Sequence, residues 1–343
     1  MNAIAPLPNL VPKLKSTTLK QLLEKTFPKR EFLLEPIMKQ GESLMLWAAP
    51  GVGKTMLALS IALAVSGGGE LIGLKSAGNR KVLIVDGEMN EADLADRFKA
   101  LVPAVTGCDR EMAAANVTIL ARQAQALDAS FPDLATPAGQ QAVLSRAVNG
   151  EFDLVILDNF STLASIEDEN SASAMDPVLR FLMMMKQAGI ACILVHHSAK
   201  GGDKYRGSSK IETTFEVIIG LRKPNITDAS DRAAFEIEFT KFRGIRNVAT
   251  KGKKAWLRER PDKTLEWCFE VAEGETMVEM ISMLRTCLYP TQRALAEAVG
   301  VSAVSITRLK ARAFADGHLS KGEWEEYMKE ASSTPSAQAG DDF

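Results

Sequence analysis

Residues 44–57 read LMLWAAPGVGKTML: an apolar run, a turn rich in Gly and Pro, then Gly53-Lys54-Thr55 and a second apolar run. This stretch constrains the fold more than any other. A strand has to enter the turn and a helix has to leave it, so that backbone N–H groups point into one loop and cradle the α and β phosphates of a triphosphate. Lys54 can then reach the β and γ oxygens, and the Thr55 hydroxyl can ligate Mg²⁺. The helix expected over 54–66 adds the positive end of its dipole. The nucleotide-binding stretch is thus Ala49, Pro50, Gly51, Val52, Gly53, Lys54, Thr55 and Met56. The first place in the pattern G-x-x-x-x-G-K-[ST] holds Ala48 instead of glycine; that position ends the strand and mainly needs a small side chain.

Strands and helices alternate from about residue 30 to 222. SLMLWA, KVLIVDG, NVTIL, FDLVILDN, ACILVHH and FEVIIGL are short and apolar, and helical periodicity lies between them, as at 93–101 and 175–187. Apolar strands separated by helices imply an α/β fold with a mostly parallel sheet covered on both faces and ligands at the carboxyl ends of its strands. AFEIEFTKF and TLEWCFEV instead alternate strictly, with Phe235, Ile237 and Phe239 opposite Glu236 and Glu238, as antiparallel strands added at one edge. Beyond about 274, helices are expected at 277–289, 292–299 and 303–315. The link Val299-Gly300-Val301-Ser302 reads as a helix-turn-helix, and 317–322 as a wing.

The expected division is an arm and short helix at 1–29, an α/β domain at 30–273, a winged-helix-like domain at 274–330 and a disordered tail at 331–343. In the arm, Thr18 to Gln21 reads as a capping box opening a helix that stops near Pro28, with Leu19, Leu22 and Leu23 on one face. That face suits either its own domain or a neighbouring subunit. The chain of 343 residues is long enough for one large domain and a small one. A net charge of −2 means that any nucleic-acid surface comes from local clustering, not bulk basicity. Four scattered cysteines without a C-x-x-C pair argue against zinc and for reduced thiols in a cytoplasm. No apolar run approaches the roughly 18 residues of a membrane span.

Partners for the loop stand at the ends of other apolar strands. Asp158 ends FDLVILD and suits the acid that holds Mg²⁺. Glu88, just past KVLIVDG, is the candidate general base for an attacking water, with Asp86 as its local competitor. His196 and His197 end a third strand and point to opposite faces; His197 is the one expected to sense the γ-phosphate, against the alternative of a packed core histidine. The loop that follows carries Lys200, Lys204, Tyr205, Arg206 and Lys210 around Asp203, cations and an aromatic that suit single-stranded DNA, or an ordinary solvated loop. Residues 241–260 hold eight Lys or Arg and one Glu, a concentration that argues for a polyanion, either DNA or a neighbour's triphosphate. Lys241 and Arg243 lie two apart on a strand and so share a side. Within the set Lys54, Thr55, Glu88 and Asp158, Lys54 is the one cation for a transition-state phosphate, which makes an arginine supplied across an interface attractive.

With these motifs in place the chain resembles the RecA-like ATPases, and among them the plasmid RepA type of hexameric replicative helicase. The resemblance spans roughly residues 30–270. It rests on A-x-x-x-x-G-K-T at 48–55, V-D-G-E at 85–88, V-I-L-D at 155–158, I-E-D-E-N at 166–170, V-H-H-S-A-K-G at 195–201 and R-G-S-S at 206–209. It implies ATP and Mg²⁺, hydrolysis at the subunit interfaces of a ring, and central loops gripping single-stranded DNA. By that match Lys54, Thr55, Glu88, Asp158 and His197 act in cis, and Lys241 and Arg243 are the family's trans-acting K-x-R pair. Ala48 departs from the family, no primase or zinc-ribbon segment is expected before the ATPase, and the helix-turn-helix lies outside the common core. Two other readings stay open: an ATP-dependent DNA-binding regulator or helicase loader without translocation, and a filament-forming recombination ATPase. The ending Asp341-Asp342-Phe343 suits either docking of other replication proteins or mere solubility.

Overall fold

The computed structural model describes residues 14–166, 175–199, 205, 212–224, 228, 231–271 and 273–333. The chain divides into two compact units, Met1–Glu31 and Phe32–Phe343. In the first, α1 (Leu19–Leu23) opens with the expected capping box: Thr18 Oγ1 accepts the Gln21 N–H at 3.2 Å, and Gln21 Oε1 accepts the Thr18 N–H at 3.1 Å. The helix ends at Leu23 with Glu24 as its C-cap, well short of Pro28.

The second unit begins with β1 (Phe32–Leu34), β2 (Met38–Lys39) and β3 (Ser43–Ala48), followed by α2 (Lys54–Gly67). A small hairpin of β4 (Gly69–Leu71) and β5 (Leu74–Ser76) leads to β6 (Val82–Asp86), α3 (Glu91–Leu101), α4 (Arg110–Asn116) and β7 (Val117–Ala121). Then come α5 (Pro137–Asn149), β8 (Leu154–Asp158), α6 (Phe160–Leu163), α7 (Asp176–Gln187), β9 (Ala191–His197) and β10 (Val217–Arg222). The edge strands are β11 (Ala233–Phe242), β12 (Lys253–Glu259) and β13 (Leu265–Val271). Among the described residues these build a 9-stranded sheet in the order β13-β12-β11-β10-β3-β9-β8-β6-β7. Pairing is parallel from β10 to β7 and antiparallel from β10 to β13, the expected mostly parallel core with antiparallel edge strands.

Alternation along each parallel strand sorts its side chains between two apolar clusters. Leu44 and Leu46 of β3 pack with α2 on one face, and Met45 and Trp47 pack with α5 and α7 on the other. With both faces covered, nothing polar is tolerated mid-strand. Polar groups collect where the strands end. No helix among the described residues is long and apolar enough to cross a membrane.

Past the sheet lie α8 (Glu273–Leu284), α9 (Gln292–Val299), α10 (Ala303–Ala315) and α11 (Lys321–Ser333), with a hydrophobic cluster of their own. The turn between α9 and α10 is tight, with Gly300 in the left-handed region at φ 76° and Ser302 capping α10. α8 stops earlier than residue 289, in a turn over 285–287 ahead of Pro290. The wing expected at 317–322 is not a strand. Ser320 Oγ accepts the Glu323 N–H at 3.1 Å and Glu323 Oε2 accepts the Ser320 N–H at 2.7 Å, a capping box that opens α11 and carries helix into the stretch expected to be tail, as far as Ser333. Residues 334–343, with Asp341, Asp342 and Phe343, lie outside the described residues.

The basic run 241–260 does not form one cationic face. Lys251 is buried against Glu279 of α8, Arg260 pairs with Glu266, and Lys253 points into the interior. Lys253 Nζ donates to Ile72 O at 2.8 Å in the β4–β5 turn and lies 5.3 Å from the centre of the Phe269 ring. Burial pushes its ammonium down to about 8, against a smaller upward pull from Glu70. Below about pH 8 the group is charged in folded and unfolded chains alike, and folding carries the full desolvation cost. Between there and the unperturbed 10.5, the unfolded chain binds the proton more strongly, so stability rises with pH by up to about 3 kcal/mol. Lys253→Met is expected to remove that rise. Urea melts of both proteins at about pH 7.5 and pH 10 check it, and the same pH dependence in both sinks it.

Candidate active site

β3 is buried along its whole length and ends at Ala48, where the chain turns into the loop. Gly51 and Gly53 take left-handed backbone, φ 77° and 118°. A Cβ on Gly53 would also lie 3.0 Å from Ala233 Cβ and 3.1 Å from Phe235 Cε1, so β11 backs the loop and leaves no room for a side chain. Gly53 caps α2 with no side-chain acceptor, and the first N–H groups of the helix are left to a ligand. Lys54 is buried, its Nζ donating to Ala48 O at 3.1 Å and Ala49 O at 3.0 Å. Burial lowers its pKa, and the nearby Asp158 and Glu88 act against that.

Three acids stand opposite. Asp86 and Asp158 are register partners at the ends of the neighbouring strands β6 and β8. Asp158 is pushed up to about 6 by burial, helped by the charges of Asp86 and Glu88 and opposed by the Thr55 hydroxyl and Lys54. Its Oδ2 is buried without a hydrogen-bond partner among the described residues. A carboxylate beside a hydroxyl, with one oxygen unanswered, fits a hard divalent cation. Asp86 is equally buried, but its Oδ1 accepts the N–H groups of Glu88 at 2.9 Å and Met89 at 2.6 Å. It shapes the turn that presents Glu88 and is poorly placed as a base itself. Gly87 is required there, because a Cβ would sit 2.2 Å from Thr162 Oγ1 while its N–H reaches Asp158 O at 2.8 Å.

His197 pairs in register with Ala48 and lines the same cavity of about 810 Å³ as the loop, Glu88 and Asp158. His196 points to the other face, buried and edge-on to Phe160 at 4.9 Å between ring centres. The cavity also takes in residues with no motif to announce them. Arg97 comes from α3, Glu259 from the end of β12, Arg232 from just ahead of β11 and Lys263 from the turn between β12 and β13. Arg232 Nε lies 3.0 Å and Lys263 Nζ 2.9 Å from the Glu259 carboxylate. Arg97, Arg232 and Lys263 thus add cations to the lining of the cavity beyond the set that contains Lys54. Only the pairing of β11 to β13 brings these groups over the loop, and no local pattern foretells it.

Other sequence candidates lie elsewhere. β10 runs parallel to β3 with Val217 beside Leu44, and β11 returns antiparallel. Lys241 and Arg243 thus sit at the opposite end of the sheet from the chain's own loop. Lys241 Nζ donates to Glu212 O; Arg243 donates to Thr213 O at 2.9 Å and pairs with Glu216 at 3.4 Å. Tyr205 is half-buried, edge-on to Trp47 at 6.2 Å, and its hydroxyl donates to Glu212 at 2.6 Å. One side of that ring is thus packed against the core cluster beneath it. Lys200, Lys204, Arg206 and Lys210 lie outside the described residues, as do 167–170 of I-E-D-E-N and all of R-G-S-S.

A family model described as an AAA domain matches residues 9–203, which takes in the loop, Glu88, Asp158 and His197. The chain is also similar to a KaiC-like protein from the hyperthermophilic archaeon Pyrococcus horikoshii OT3, with 17% identity and a TM-score of 0.47 over 69% of this chain and 93% of that one.

If Glu88 is the base, Glu88→Gln keeps triphosphate affinity while the single-turnover rate falls by about 10²–10⁴. Lys54→Ala instead weakens binding in a calorimetric titration. Wild-type hydrolysis by Glu88→Gln transfers the role to another acid.

Proposed function

The chain belongs to the AAA domain family, and from that premise we propose that this P-loop ATPase is an oligomeric, DNA-stimulated motor, a replicative helicase of a plasmid, phage or other mobile element. The observation that carries the proposal is the place of Lys241 and Arg243. They sit at the end of the sheet remote from their own loop, so they serve a phosphate only if a second copy brings its loop to them. A head-to-tail repeat of one interface does this and closes into a ring, here taken as a hexamer.

In that arrangement the backbone N–H groups of 49–55 and Lys54 hold ATP. Thr55 and Asp158 hold Mg²⁺, which when bound neutralises charge developing on the phosphate oxygens. Glu88, presented by the Asp86 turn, takes the proton of the attacking water. His197 lines the site, and the residues that follow it in sequence, 200–211, grip single-stranded DNA with their cations. Arg243 completes the neighbouring site, a contribution of about 10³–10⁵ in rate.

A second reading, a regulator or loader that switches without translocating, draws on the tight α9–α10 turn, which suits contact with duplex DNA or a protein. Strand displacement separates the two readings, and particle shape separates a ring from a recombination filament. Four free cysteines accord with a cytoplasmic setting. Docking of other replication proteins is left to the final residues.

Lys54→Ala and Arg243→Ala are each expected to be nearly inactive, and mixing them into one oligomer to restore part of the ATPase, because some interfaces then pair an intact lysine with an intact arginine. The mass of the ATP-bound assembly and the rate with and without single-stranded DNA accompany the measurement. If mixed assemblies form and no activity returns, the arginine does not act in trans, and Arg97 or Arg232 becomes the candidate cation.

A further inference from the structure

Arg243 does not stand alone at the far end of the sheet. Glu216, just ahead of β10, accepts from three groups. Lys186 of α7 lies 2.7 Å from its Oε2 and 2.8 Å from its Oε1, Arg243 Nη1 lies 3.4 Å from Oε1, and the Ser43 N–H donates to it at 2.9 Å. Glu216 and Lys186 are mostly buried, whereas 54% of the Arg243 side chain is exposed. The cations also converge on three consecutive carbonyls at the root of the basic loop: Lys241 on Glu212 O, Arg243 on Thr213 O and Lys186 on Thr214 O. Burial and the neighbouring Arg243 both lower the pKa of Lys241, so the two cations feel each other's charge.

We propose that Glu216, braced by Lys186, is the positioning residue for Arg243. This rests on the trans reading above. The distances show how it works. Lys186 takes the short contacts and offsets the Glu216 charge, so the carboxylate holds the guanidinium by one longer contact and does not draw it into a closed two-pronged pair. The Thr213 carbonyl holds a second point. A planar fork gripped at two places loses rotamer freedom before a phosphate arrives and keeps its other donors for that phosphate. The Ser43 N–H ties the same carboxylate to the head of the strand that carries the subunit's own loop.

Glu216→Gln keeps an acceptor for Ser43 and removes the orienting charge. Displacing a catalytic group by roughly 1 Å costs about 10² in rate, so kcat is expected to fall about 10²-fold with the KM for ATP unchanged within about twofold. Lys186→Met, which leaves Glu216 free to close on Arg243, is expected to show the same split. Each variant is then mixed with Lys54→Ala, beside the Arg243→Ala pair as reference, with thermal melting followed for all. Recovery in the Glu216→Gln mixture equal to the reference supports the proposal, since the defect then belongs to what the subunit lends its neighbour. Recovery of the reference without recovery of Glu216→Gln overturns it, because the damage would lie in the subunit's own site. Wild-type kcat in Glu216→Gln overturns it as well. Failure of the reference pair overturns the trans reading on which it stands.

Discussion

A strand covered on both faces cannot carry a polar side chain except where it ends. β3, β6, β8 and β9 are such strands; β6, β8 and β9 are apolar until their last one or two residues, and β3 is apolar from Leu44 to its end at Ala48. Asp86 and Asp158 follow directly from that constraint, as does the turn after Ala48. Parallel pairing does the rest: strands running the same way end on the same edge, so one loop and three acids meet without any contact between them in sequence. An antiparallel sheet of the same strands would have split them between two edges.

Once gathered, the acids work against one another. Burial and mutual repulsion raise Asp86 and Asp158, and burial of Lys54 lowers it. The free site is thus electrostatically strained, and the strain has the sign that a divalent cation and a polyphosphate relieve together. Within the cluster the roles separate by hydrogen bonding. Asp86 spends an oxygen on two backbone N–H groups, Asp158 leaves one unanswered, and Glu88 stands out toward solvent.

The cations obey a different logic. In sequence they form one dense run, yet strand alternation and the return of β12 scatter them. Lys253 goes to the interior, Lys251 to the α8 contact, Arg260 to Glu266, and Lys241 and Arg243 to the far end of the sheet. Charge density along a chain and charge density on a surface are separate quantities. A strand turns its neighbours to opposite faces, and each tertiary pairing then decides which charges are consumed.

Local signals determined a good deal. The glycine loop, the apolar strand runs with acids at their ends, the opposed pair His196–His197 and the helices at 292–299 and 303–315 are short-range patterns of burial and turn chemistry, legible because their causes lie within a few residues. The start of α11 is such a signal too, the capping box of Ser320 with Glu323 standing where the stretch 317–322 reads as a wing. Tertiary structure alone decided that Asp86 shapes the turn and Glu88 faces the cavity, that Tyr205 packs on Trp47, and that Arg232, Glu259 and Lys263 roof the loop. It also set Lys241 and Arg243 apart from the loop and joined them to Glu216 and Lys186. Those outcomes depend on which strand lies beside which, and strand order is a balance of many burial terms spread over the chain that no single stretch of it contains.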